Sequence, residues 1–261
     1  MKIGVVGSGY VGLVAGACFA ELGHKVVLVD NDEQKLGLLQ RGSCPIHEEF
    51  LPELLARHRG ERLSFTSNLT GAVRQSEIIF IAVGTPPKDD GDADLSYVES
   101  VAREIAGAID GYKVVVEKST VPVYTNGWIR KIMLLNGAPA ESFDVASNPE
   151  FLREGSAVTD FLYPDRIVVG ADSERCASLV ARAYGPMVDG SYYNRPAAIP
   201  GHVEGPFRAR LIHTSAKSAE LIKHASNAFL AMKISFVNAV ATLCEAVGAD
   251  VGQVCEGLGS D

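Results

Sequence analysis

The chain has 261 residues, 47% of them hydrophobic and 21% charged, which suits one large domain, or one domain plus part of a second, around a sizeable core. A net charge of −8 and a pI near 5.3 argue against a general nucleic-acid or anionic-membrane binder, although a local basic patch could still hold a phosphorylated small molecule. Cys18, Cys44, Cys176, Cys244 and Cys255 are scattered without Cys-x-x-Cys spacing, so reduced thiols in a cytoplasmic protein are expected, and no uninterrupted apolar run is long enough for a membrane span.

Lys2–Val6 reads as a buried strand. Gly7-Ser8-Gly9-Tyr10-Val11-Gly12 follows, then an apolar helical stretch to Leu22, a second buried strand over Lys25–Val29, and Asp30 at its end. A dinucleotide needs those parts in that order. Gly7 allows a tight turn, Gly9 lets the backbone approach a pyrophosphate, and Gly12 lets the helix lie close to the sheet. The helix start offers free N–H groups and a positive dipole end to the phosphates. Asp30 stands where a carboxylate accepts from a ribose 2′-OH and repels a 2′-phosphate, which favours NAD over NADP. The competing reading is a secretory leader, with Lys2 ahead of an apolar run and Ala15-Gly16-Ala17 as a cleavage site. The three glycines interrupt that run and the charged region is one lysine.

Helices are expected over Gln34–Arg41 and Glu49–Arg59, then strands over Leu63–Thr66 and Ile78–Val83, the latter stopped by Gly84-Thr85-Pro86-Pro87. A helix over Tyr97–Ile109, a strand over Lys113–Glu117 and a helix over Thr125–Asn136 follow. Strands at Phe143–Ser147 and Arg166–Gly170 and a helix at Ser173–Tyr184 complete the alternation. That rhythm predicts an α/β fold with a doubly wound parallel sheet covered on both faces. Val188–Arg210, rich in Gly and Pro, reads as a long loop or insertion. Ser215–Val247 is one long helix without proline, suited to a connector or dimer helix, and Asp250–Glu256 starts another. The expected division is residues 1–212 and 213–261.

Ligands of such a sheet bind beyond the carboxyl ends of its strands. Four segments fall there: the glycine loop, Gly84-Thr85-Pro86, Glu117-Lys118-Ser119-Thr120, and Ser147 to Gly155. In the last, Glu150 and Glu154 offer a base for water, the alternative being a solvated loop or a glutamate paired with Arg153. Lys223 and Asn227, at i and i+4, share a helix face and could hold an oxyanion or orient water, although such pairs are commonly surface features. The acidic run Lys88–Asp94 lacks the distal glutamate of a calcium loop, and His24, His47, His58, His202, His213 and His224 show no ligand spacing, so no metal is expected.

Taken together, these motifs resemble the UDP-glucose/GDP-mannose dehydrogenase family over nearly the whole chain. The carriers are Gly7 to Leu13, Val83-Gly84-Thr85-Pro86, Lys118-Ser119-Thr120-Val121-Pro122, Asn148 to Gly155, Pro164 to Gly170, Ser218 to Lys223 and Asn227 to Ala231. The run Pro164-Asp165-Arg166-Ile167 is more similar to the UDP-glucose branch.

The resemblance implies a Rossmann-like domain followed by a long connecting helix. It also implies NAD-dependent oxidation of a nucleotide sugar's primary alcohol to the acid, UDP-glucose to UDP-glucuronate, by two hydride transfers through a cysteine thioester. Gly7, Gly9, Tyr10, Val11, Gly12, Asp30, Lys35, Gly84, Thr85, Thr120 and Glu154 would contact NAD. Glu150, Phe151, Leu152, Arg153, Glu154, Lys223 and Asn227 would contact the UDP-sugar. Thr120 would hold a water, Glu154 would act as base in hydrolysis, Lys223 would stabilise the oxyanion and Asn227 would position the sugar.

The family's nucleophile lies in a Gly-Gly-x-Cys-x-Pro-Lys-Asp loop just past the equivalent of Gly257–Asp261, and none of the five cysteines matches it. The expectation is a cofactor-binding portion, inactive alone and homodimeric through the long helix. The alternatives are a non-catalytic NAD-binding or partner module, a dehydrogenase of GDP-mannose or UDP-N-acetylmannosamine, and a hydroxyacid dehydrogenase.

Overall fold

A computed structural model describes residues 1–201 and 205–260, so His202 and Asp261 lie outside the described residues. The chain divides into two compact units, Met1–Leu221 and Ile222–Asp261.

The first unit is built on β1 (Lys2–Val6), α1 (Tyr10–Glu21), β2 (Lys25–Val29), α2 (Glu33–Arg41), α3 (Leu51–His58), β3 (Leu63–Thr66), α4 (Leu69–Gln75) and β4 (Ile78–Ile81). It continues through α5 (Ser96–Ala108), β5 (Lys113–Glu117), α6 (Thr125–Leu135), β6 (Phe143–Ser147), α7 (Ala157–Leu162), β7 (Ile167–Gly170), α8 (Glu174–Ala183), α9 (Gly185–Val188) and β8 (Leu211–Thr214). α10 (Ala216–Val247) begins in it and runs into the second unit, which ends with α11 (Val251–Leu258).

The eight strands lie in the order β3-β2-β1-β4-β5-β6-β7-β8. β1, β4 and β5 are buried on both faces apart from Lys2, which is why they read as unbroken apolar runs. Alternate residues serve opposite cores, as the two-residue period of a strand requires. Ile3, Val5, Ile78, Phe80, Val114 and Val116 face a core with α1, α3 and α7. Val6, Ile79, Ile81 and Val115 face one with α4, α5 and α6. Phe19 of α1 ties the first core together, its ring 4.8 Å from that of Phe80, 5.2 Å from Phe161 and 5.3 Å from Tyr184.

The sheet is parallel from β3 to β6, but β7 meets β6 antiparallel, with Ser147 opposite Gly170, and β8 runs parallel to β7. The uniformly parallel expectation is therefore corrected at its far side. The connection between β6 and β7 runs from Asn148 to Arg166 and holds only the six-residue α7. β7 starts beyond the carboxyl ends of the parallel strands, so Pro149–Arg166 stays at the edge that carries the glycine loop.

The segment from Val188 to Arg210 is not a loose loop where described. Tyr192 is wholly buried and Ile199 nearly so. Tyr163, Tyr192, Tyr193 and Phe207 form one aromatic cluster, and Arg57 of α3 donates to the Ala197 carbonyl. Strand β4 ends two residues earlier than expected, because Ala82 and Val83 already turn under the glycine loop. The short α4, α7, α9 and β8 were not anticipated, being brief segments whose order comes from packing rather than from periodicity.

Candidate functional site

The glycine loop follows β1 directly. Gly7 has φ +102°, and a Cβ there would sit 2.5 Å from the Ala82 carbonyl oxygen, so only glycine makes the turn under β4. A Cβ on Gly12 would lie 1.9 Å from the Gly7 oxygen. Gly9 differs: its backbone is extended, with φ −69° and ψ −173°, and a Cβ would meet nothing within 4 Å. The space beside Gly9 is open at the amino end of α1, the geometry in which backbone N–H groups donate to a diphosphate.

Asp30 ends β2 beside that loop. One carboxylate oxygen accepts from the Ser8 amide at 2.6 Å and the Ser8 hydroxyl at 2.5 Å, the other from the Asp32 amide at 3.0 Å, and Lys35 stands 3.8 Å away. Burial opposes its ionisation, but the hydrogen bonds from Ser8 and Asp32 and the charge of Lys35 outweigh it and hold the carboxyl below its ordinary range. It is an anion at neutral pH, able to accept from a ribose hydroxyl. A cleft of about 320 Å³ runs along these residues, lined by Gly7, Gly9, Asp30, Lys35, Gly84 and Tyr97 among others. The structure thus brings Gly7, Gly9, Asp30, Lys35 and Gly84 to one cleft.

Beyond β5 a second set of groups closes in. The Thr85 hydroxyl donates to the Thr120 carbonyl at 2.8 Å, joining the β4 and β5 loops. Lys118 is buried and its ammonium reaches the Asn148 side-chain oxygen at 3.1 Å, with the Tyr184 hydroxyl at 3.5 Å. Tyr184 donates to the same Asn148 oxygen at 2.5 Å, and the Asn148 amide donates to the Val168 carbonyl at 2.8 Å. This buried polar cluster ties β5, β6, β7 and α8 at the start of the 148–155 loop.

Along that loop, Glu150 accepts from the Leu152 amide at 2.7 Å. Phe151 is covered by the Arg166 guanidinium 3.8 Å above its ring, and both line a small cavity of about 40 Å³ with Lys118, Glu150 and Leu152. Arg153 pairs with Asp160 at 2.6 Å and is exposed rather than pointed into that cavity, so neither glutamate is its partner. Tyr10, just past the glycine loop, connects the two regions: burial chiefly, then the charges of Glu48, Glu154 and Glu150, push its phenol above the ordinary range. Those carboxylates therefore stand near the start of α1. Lys223, buried, and Asn227, exposed, lie one turn apart on α10 in the second compact unit.

Several contributors were not singled out by sequence reading. Ser8 and Asn148 appeared only inside motifs, and Lys118 only as a motif carrier, although a lysine directly after a buried strand was a usable signal. Glu48, Asp160 and Tyr184 carried none, since their partners are reached only through the fold. Among the described residues no group of three His, Cys, Asp or Glu side chains could hold a metal ion. All five cysteines are free thiols; burial pushes those of Cys18 and Cys44 up and that of Cys176 to about 12.

Residues 1–188 match the NAD binding domain of the UDP-glucose/GDP-mannose dehydrogenase family, and residues 217–261 match its central domain. The chain belongs to that family. It is similar along its whole length to UDP-glucose 6-dehydrogenase TuaD of Bacillus subtilis (strain 168), 46% identical, and covers 52% of that protein. It is 48% identical to the UDP-glucose 6-dehydrogenase of Rhizobium meliloti (strain 1021), again over the whole chain and 56% of the relative. Among solved structures, a UDP-glucose dehydrogenase from Pyrobaculum islandicum superposes with a TM-score of 0.87 at 41% identity, over all of this chain and 56% of the other. The chain spans about half the length of the curated relatives it matches. The tyrosine-rich segment after Val188 falls between the two matched domains.

Proposed function

We propose that this chain binds NAD as the cofactor-binding part of a dehydrogenase that oxidises the sugar of UDP-glucose to UDP-glucuronate. The observation that carries the reading is the open backbone at Gly9 beside an ionised Asp30. The Gly9 turn and the start of α1 would take the diphosphate, Asp30 and Lys35 the adenosine ribose, and Gly84, Thr85 and Thr120 the rest of the cofactor. Bound NAD supplies a hydride acceptor. The chain's own residues orient it, exclude water through the apolar walls of the cleft, and offer Glu154 as a base with Thr120 holding a water. Glu150, Phe151 and Leu152 would face the sugar. The domain organisation we infer is a cofactor domain over 1–212 and the start of a central domain over 213–261.

α10 is long and apolar enough to cross a membrane by length and composition, and most of it is exposed. We infer a protein partner rather than a bilayer for that face, because the family's central domain covers the same stretch and Lys223, Asn227, Lys233 and Asn238 recur along it. A second copy of the chain is the proposed occupant. Free thiols throughout support a cytoplasmic location.

The test is calorimetric titration with NAD and NADP. Saturable NAD binding, at least tenfold tighter than NADP, is expected from the carboxylate at Asp30; absence of NAD affinity would overturn the reading. Little conversion of UDP-glucose is expected from these residues alone, and sustained NADH production with acid formation would show that a nucleophile had been overlooked.

A further inference from the structure

Glu48 lies in the segment before α3 and is 3% exposed, far from the 148–157 loop in sequence. Its two carboxylate oxygens nonetheless accept from the backbone of that loop, one from the Gly155 amide at 2.7 Å, the other from the Ala157 amide at 3.0 Å. These amides belong to the turn that opens α7, whose own N-cap, Ser156, makes no capping bond. Glu48 thus supplies from another element the acceptor that a helix start needs. Gly155, at φ +88°, lets the chain turn so that both amides face one carboxylate. On the other side of Glu154, the Arg153 amide donates to Asp160 at 2.8 Å. The backbone on both sides of Glu154 is therefore held by a carboxylate, in charge-assisted bonds stronger than neutral ones. Glu48 also leads the charges opposing ionisation of the Tyr10 phenol, ahead of Glu154 and Glu150, so all three carboxylates stand near the start of α1.

We propose that Glu48 is a positioning residue of the cofactor site, its carboxylate gripping the Gly155 and Ala157 amides so that Glu154 is presented toward the glycine loop. The proposal rests on the reading of Glu154 as part of that site. A side chain that acts through another must be pre-set by its support, and the two amide bonds are that support.

The experiment is a double-mutant cycle on the 261-residue chain, with E48Q, E154Q and the pair. NAD affinity is read by titration, and amide exchange over 153–158 by mass spectrometry. E48Q should speed exchange at Gly155 and Ala157 and weaken NAD binding about tenfold, the size of a lost hydrogen bond to a charged group. On the E154Q background it should cost no further affinity, since a positioning residue has nothing left to position. E48D, which keeps the charge on a shorter arm, should fall between wild type and E48Q and serves if E48Q fails to fold. Unchanged protection at the two amides, or a loss that adds to that of E154Q, overturns the role given to Glu48 alone. Unchanged NAD affinity in E154Q removes the site reading itself, and the role of Glu48 with it.

Discussion

Helices α1 and α10 are both rich in apolar residues, yet they meet opposite fates. In α1 every residue from Gly12 to Glu21 is buried, and Gly12, Ala15, Gly16, Ala17 and Ala20 let it lie close on the sheet. In α10, Phe229, Leu230, Met232, Ile234 and Phe236 are each more than half exposed. Small residues allow a helix to be consumed by its own domain, whereas large ones spread around a helix call for further surface. Apolar content alone does not separate the two cases; side-chain size and distribution do.

The largest way to break the comparison is at Gly12. A Cβ there would stand 1.9 Å from the Gly7 oxygen, backbone that cannot give. Gly12→Ala should push α1 off the sheet and cost roughly 3 kcal/mol or more of stability, measured by urea unfolding. A variant within 0.5 kcal/mol (roughly the range of a neutral surface change) would show that α1 is not seated as described.

Gly9→Ala sharpens the contrast within the same loop. It should leave the unfolding midpoint within about 1 kcal/mol, since its backbone is ordinary and its surroundings open. NAD affinity should fall at least about tenfold, because the new methyl fills the space through which a diphosphate approaches the α1 amides. Equal NAD affinity in this variant would move the phosphate site elsewhere.

For α10 the prediction concerns association. Sedimentation at rising concentration should carry the wild-type chain from monomer toward dimer. Replacing Phe229 and Phe236, two turns apart on one face, by glutamate should weaken that step about tenfold or more while leaving the melting of the first unit unchanged. A wild type that stays monomeric at all concentrations removes the dimer proposal.

Legibility in the sequence followed the range of the interactions. The glycine loop, α1, β2 and Asp30 were readable because a strand, a turn and a helix sit next to one another in the chain and each has a local pattern. The loop after β6 was readable as a place but not as an arrangement. The reversal of β7 sets Gly170 opposite Ser147, and the grip of Glu48 on Gly155 spans 107 positions. No spacing rule reaches that far. Lys118 illustrates the middle ground: its position at a strand end was visible, but its union with Asn148 and Tyr184 required the sheet order to be known.

The smallest effect expected is a titration inside the first unit. Glu220, at the start of α10, accepts from the Tyr124 amide at 2.8 Å and the Asn126 amide at 2.7 Å, capping α6 where Tyr124 is held at φ +82°. Glu117 is buried close by, and one of its oxygens has no hydrogen-bond partner. Burial first, and the charge of Glu220 second, raise its carboxyl well above the ordinary 4.5, against the opposing pull of Lys118. The folded protein thus keeps a proton on Glu117 at pH values where the unfolded chain has released it. The associated stability is fully present below pH 4.5 and is lost as pH rises toward the folded value. Glu117→Gln cannot titrate, so wild type and variant should melt together near pH 4.5 and diverge above it. By pH 8 the variant should lead by about 2–4 °C, the shift of roughly 1 kcal/mol in a chain of this size. Melting curves that run parallel across that range would mean that Glu117 is ionised in the folded state and that Lys118, rather than a proton, answers its charge.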